Sequence, residues 1–148
     1  MTSINKICFA YPTLLQPDMS NDDGYIPDPL IAGVEKGSEH TVVVTAGLMM
    51  SIEDSIFTFI DILLDGEVVN PDDGDLDGHF ENLKTNYIHD NQLVILSSMH
   101  VKGVNFHRSG TYEVRMRLCK VDDNGVKKDD LIDCYSCYFH VLVKEEKK

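Results

Sequence analysis

The stretch from Thr111 to Val121 constrains the fold more than any other part of the chain. Tyr112, Val114, Met116 and Leu118 fall on one side of an extended backbone, and Glu113, Arg115 and Arg117 on the other. A period of two is what a β-strand shows when one face meets a core and the other meets water. A helix with this pattern would scatter charge and apolar groups around its whole circumference.

Other segments read the same way. His40-Thr-Val-Val-Val-Thr-Ala46 is a β-branched run, stiff at χ1 and suited to a pleated surface. Ser55 to Leu64 is a short apolar run that periodicity alone leaves between helix and strand. Its alternate residues Ile56, Thr58, Ile60, Ile62 and Leu64 favour a strand, and Asp65-Gly66 then makes a hairpin turn into Glu67–Val69. Ile4–Tyr11, Gln92–Met99 and Ile132–Val143 complete the set. The last carries apolar groups on both sides, so it is expected to be covered twice or to meet a partner. Residues 47–54 leave room for a short helical turn. Asp122-Asp-Asn-Gly125 has turn chemistry before the final strand.

Residues 12–39 hold Pro12, Pro17, Pro27 and Pro29 with Gly24, Gly33 and Gly37. Neither a helix nor a central strand survives that spacing, so a long loop or an irregular edge segment is expected. Residues 144–148 read as a solvated tail. The 148 residues suit one domain, 1–148, which buries roughly 70% of its unfolded surface. About seven strands with turn signals between them and little helix imply an all-β, antiparallel β-sandwich.

A local signature sharpens the expectation. Leu93-Val-Ile-Leu-Ser-Ser-Met-His-Val-Lys-Gly-Val104-Asn-Phe106-His-Arg-Ser-Gly110-Thr-Tyr112-Glu-Val114 resembles the passage between strands E and F of immunoglobulin-like and fibronectin-like domains. The resemblance covers about twenty-five residues. It implies that Tyr112 turns the corner and bonds back to the chain through its hydroxyl. Val114 stands where antibody domains place a disulfide cysteine, His40–Ala46 has no cysteine, and the chain has no tryptophan. The implied sandwich is therefore free of that disulfide.

Charge is divided unevenly. Residues 1–81 carry sixteen acids against Lys6 and Lys36, whereas residues 82–148 carry nine acids against eleven bases, for a net charge of −12. Such a surface repels nucleic acid and anionic lipid, and suits a basic protein partner or imitation of a phosphate backbone. No apolar run reaches the length of a membrane helix, and the N-terminus makes a poor secretory signal, so a cytoplasmic protein is expected. Cys8, Cys119, Cys134 and Cys137 read as free thiols in a chain able to build its own core.

Asp73, Asp75 and Asp77 with Gly78 follow the Asp-x-Asp-x-Asp-Gly spacing of calcium loops, where alternate carboxylates converge on one hard cation. His79 would contribute next and Glu81 could partly replace the terminal glutamate, since Lys84 stands in its place; otherwise the loop is a solvated acidic turn. Cys134-Tyr-Ser-Cys137 lacks the second pair that zinc needs, and on a strand its thiols face opposite ways. The six histidines show no paired metal spacing, and no nucleophile elbow or phosphate-cradling glycine loop is present. Arg115, Arg117, Lys120, Lys127 and Lys128 form a basic patch that could meet the acidic half of a second copy. The sequence thus points to a non-enzymatic binding or accessory module, of bacterial or phage type, without a cofactor unless calcium binds, working through sheet edges and its acidic surface. The alternative is an acidic, nucleic-acid-mimicking inhibitor of a basic protein.

Overall fold

The alternating segments become strands, and they associate because each has one apolar side to hide. The computed structural model describes residues 3–19, 24–71, 80–88, 90–122 and 125–144. In chain order the strands are β1 (Lys6–Leu14), β2 (Leu30–Val34), β3 (Ser38–Ser51), β4 (Ile56–Leu64), β5 (Glu67–Val68), β6 (Phe80–Ile88), β7 (Gln92–Phe106), β8 (Gly110–Asp122) and β9 (Gly125–Val143). They form a four-stranded sheet in the order β1-β3-β7-β6 and a five-stranded sheet in the order β2-β9-β8-β4-β5.

The described residues contain no helix. Where a helical turn was expected over 47–54, β3 runs on to Ser51 and a tight turn follows, with Ile52 N–H donating to the Asn91 carbonyl. No helix among the described residues is long and apolar enough to cross a membrane.

The core lies between the sheets. Val42, Val44, Ala46 and Leu48 of β3 and Met99 and Val101 of β7 face Ile60, Ile62 and Leu64 of β4 and Val114, Met116 and Leu118 of β8. At one end Phe106, Tyr112 and Phe139 form an aromatic cluster, with Phe106 edge-on to Tyr112 at 5.3 Å and Phe139 stacked on Tyr112 at 5.7 Å. Each such buried ring removes a large apolar area from water, and edge-on geometry adds quadrupole attraction.

Among the described residues nine strands replace the expected seven, because two segments hid their strand character. β6 is an edge strand with mostly exposed side chains, so no burial imposes alternation on Asn82-Leu-Lys-Thr-Asn-Tyr-Ile88. β2 lies inside the proline-rich stretch and pairs parallel to β9, Leu30 against His140 and Ile31 against Val141, so the sheets are not wholly antiparallel. The expected loop over 12–39 is shortened from both ends, because β1 continues through a buried Pro12 to Leu14. Both proline-bearing segments sit at sheet edges, where a missing N–H breaks no ladder bond.

The free edge of β1 is occupied by side chains and by its own connecting segment. Ile7 N–H donates to Asp133 Oδ2 at 2.8 Å, Leu14 N–H donates to Asp28 Oδ2 at 2.9 Å, and Asp28 N–H donates to the Pro12 carbonyl at 2.8 Å. Tyr11 and Thr13 hydroxyls donate to the carbonyls of Tyr25 and Ile26, so residues 24–28 lie along β1.

Candidate functional site

The outward side of the five-stranded sheet is set by the same alternation that builds the core. With Ile60, Ile62 and Leu64 turned inward, Phe57, Phe59, Asp61 and Leu63 of β4 turn outward. Across the register Phe57 meets Cys119, Phe59 meets Arg117, Asp61 meets Arg115, and Leu63 meets Glu113. On the far side of β8, Arg117 meets Cys134, Arg115 meets Ser136, and Glu113 meets Tyr138.

Charges on this face are paired within the chain. Arg117 Nη2 lies 3.2 Å from Asp61 Oδ2, and its guanidinium sits 5.3 Å from the centre of the Phe59 ring. Phe59 in turn packs on Phe57, with ring centres 4.8 Å apart. Arg115 Nε lies 3.1 Å from Glu113 Oε2, which also accepts from the Ser136 hydroxyl at 2.7 Å. The Ser136 hydrogen bond, with help from Arg115, holds the Glu113 carboxyl below its ordinary value against the opposing effect of burial.

The expected basic patch is therefore not a free one. Arg115 and Arg117 share the face, but Glu113 and Asp61 neutralise them. The side chains of Lys127 and Lys128 lie outside the described residues. Aromatic groups at Phe57 and Phe59 were legible as the outward alternates of β4, yet their placement beside Arg117 needed the β4–β8 register.

The calcium expectation falls on Asp73, Asp75, Asp77 and His79, which lie outside the described residues, as does the side chain of Glu81. Among the described residues no group of three or more His, Cys, Asp or Glu side chains is arranged to hold a metal ion. Cys134 and Cys137 do face opposite ways: Cys134 is exposed and Cys137 half-buried toward the core. Burial, and secondarily the Glu113 charge, pushes the Cys137 thiol up to about 11. The described histidines are scattered. His40 bonds Ser38 at 2.7 Å and stacks on Phe106, whereas His140 bonds Thr111 at 3.2 Å on another strand.

The second candidate surface is the outer edge of β6. Among the described residues it pairs with β7 alone and ends the four-stranded sheet. Tyr87 and Ile88 near its end are exposed, Tyr87 to 62%. The sequence-based reading assigned no strand to this segment. No protein-family model matches the chain, and no curated protein is significantly similar to it.

Proposed function

We propose that this chain is a non-catalytic protein-binding module of immunoglobulin-like build, an accessory protein whose binding element is the outer edge of β6. Two features support the build. The orders β1-β3-β7-β6 and β9-β8-β4 follow the A-B-E-D and G-F-C orders of immunoglobulin sheets. Tyr112 also makes the backward hydrogen bond of a tyrosine corner.

The observation that carries the function is the contrast among the four sheet edges. β1 is met by Asp133 and Asp28, β5 has two residues, and β2 has five and is preceded by Pro27 and Pro29. β6 offers nine residues, with Tyr87 and Ile88 as apolar contacts. An edge of that length is a template for an added strand, with backbone bonds supplying affinity and side-chain contacts supplying selectivity. Four aspartates, Asp72, Asp73, Asp75 and Asp77, precede β6 in the sequence, so the fitting partner is an extended segment carrying Lys or Arg.

The test is a library of displayed basic, β-prone peptides, followed by amide hydrogen exchange on the bound protein. Binders should slow exchange within 80–88, and Tyr87→Ala should weaken them by about tenfold or more. Binders that protect other segments and ignore Tyr87→Ala would sink the proposal.

A further inference from the structure

We infer that residues 24–28 are a strap that lifts from the four-stranded sheet as a local unit, because closing it buries two hydroxyls that have nothing to bond. This conformational device is separate from the β6 proposal and lies toward the opposite edge of the same sheet. The core sets its geometry. With Ala10 of β1, Val44 and Ala46 of β3 and Met99 and Val101 of β7 turned inward, Tyr11, Thr13, Val43, Thr45, Ser98 and His100 turn outward. Across the register Tyr11, Thr45 and Ser98 form one row, and Thr13, Val43 and His100 the next. Tyr25 touches both outer strands of this trio. Its carbonyl accepts from the Tyr11 hydroxyl of β1 at 2.8 Å, and its ring meets the His100 ring of β7 edge-on at 6.2 Å. β3 lies between β1 and β7, so Tyr25 passes over Val43 and Thr45 to reach both. Outward positions of an antiparallel sandwich ordinarily face water, but Thr13, Val43, Thr45 and Ser98 are buried.

Opposing contributions act on the strap. The Tyr11–Tyr25 bond holds it down, and so does the Thr13 hydroxyl, which donates to the Ile26 carbonyl at 2.7 Å. Asp28 adds two more bonds: its N–H donates to the Pro12 carbonyl at 2.8 Å, and its Oδ2 accepts from Leu14 N–H at 2.9 Å. Pro27 and Pro29 have no N–H, so they cannot extend the Asp28–Pro12 bond into a ladder. Against closure stand Thr45 Oγ1 and Ser98 Oγ, neither of which has a hydrogen-bond partner among the described residues. A hydroxyl taken out of water without a replacement bond destabilises the closed state. Lifting the strap lets water reach both hydroxyls while the two sheets stay packed, which is a local opening. It also strips the Pro12 carbonyl and Leu14 N–H of their partners, so the closed strap shields that edge of β1.

The test is amide hydrogen exchange on the full chain, read at Asp28 in the strap and at Val44 in β3. In the wild type Asp28 should exchange about a hundredfold faster than Val44, or more. Two substitutions of the same shape then separate the roles of the hydroxyls. Thr45→Val removes an unpartnered hydroxyl and should slow exchange at Asp28 by about fivefold or more. Thr13→Val removes a bonded one and should quicken it by about the same factor. Ser98→Ala should act in the same sense as Thr45→Val, and it keeps the test decisive if Thr45→Val fails to fold. Val44 reports the stability of the whole fold, so a shift there is not read as strap motion. Equal exchange at Asp28 and Val44 in the wild type overturns the inference, since the strap then opens only with the whole fold. Exchange at Asp28 that Thr45→Val and Ser98→Ala leave unchanged or quicken overturns it too.

Discussion

The hydroxyl of Tyr112 donates a 2.7 Å hydrogen bond to the carbonyl oxygen of Arg108, four residues back along the chain. The bond ties the connection 107–109 to the start of β8 while the Tyr112 ring packs between Phe106 and Phe139. Burial of this ring pushes the Tyr112 hydroxyl above its ordinary pKa, so it remains a donor at neutral pH. Tyr112→Phe removes the bond and little else, and should destabilise the fold by about 1 kcal/mol. Tyr112→Ala also empties the aromatic cluster, and should cost about 3–5 kcal/mol. Urea unfolding with an unchanged m-value is the measurement, and equal losses for the two variants would count against this division of roles.

Asp133 links the two sheets near one end of β1. Burial by itself would raise its pKa, but hydrogen bonds from Ile7 N–H and Lys6 Nζ, with a further one from the Cys134 backbone, outweigh it and hold the carboxyl below its ordinary value. A carboxylate whose pKa is lower folded than unfolded stabilises the fold above its unfolded value of about 3.9. That contribution disappears as pH falls through the folded value. Wild type should therefore exceed Asp133→Asn in melting temperature at pH 6, and the gap should close on acidification below about pH 4. A gap that stays constant from pH 6 to pH 3 would show that the charge plays no part.

Gln92 clamps the chain's first described residues to the four-stranded sheet. Its Oε1 accepts from Ile4 N–H at 2.7 Å, and its Nε2 donates to the carbonyls of Ile4 at 3.0 Å and Met50 at 3.1 Å. Gln92→Ala should release residues 3–5 while β3 and β7 stay paired along Val42–Ser51. Amide exchange at Ile4 should quicken by about tenfold or more, with exchange at Val44 unchanged. Equal acceleration at both sites would instead indicate loss of the whole fold.

The four thiols should separate into two kinetic classes. Cys8 and Cys134 are exposed, Cys137 is half-buried, and Cys119 is fully buried. With its pKa raised to about 11, Cys137 is only about one-thousandth thiolate at pH 8. A disulfide reagent should modify two thiols rapidly on the native protein and the other two only slowly or on unfolding. Rapid reaction at Cys137, located by peptide mapping, would contradict its orientation toward the core.

The strands that sequence makes visible are those whose environment forces a period of two. β8 announces itself because Tyr112, Val114, Met116 and Leu118 must be dry while their neighbours need not be. β3 is legible through its valines, and β4 through alternation plus an Asp65-Gly66 turn that adopts positive φ at both residues. β6 is not legible, because an exposed edge strand makes no demand on side-chain polarity. β2 is hidden by the prolines that precede it and by a parallel pairing with β9 that links residues more than a hundred positions apart.

The candidate surfaces divide along the same line. Which side chains point outward on β4 and β8 follows from local alternation, a property each strand carries by itself. That Asp61 neutralises Arg117, 56 residues away, and that Asp133 occupies the edge of β1, depend on register and on how the sheets meet. Sequence thus determined the alternating strands and their apolar faces, because covalent geometry turns neighbouring side chains to opposite sides. The tertiary structure decided which charges pair and which strand ends each sheet among the described residues, because Coulomb and hydrogen-bond energies depend on distances that only chain closure sets.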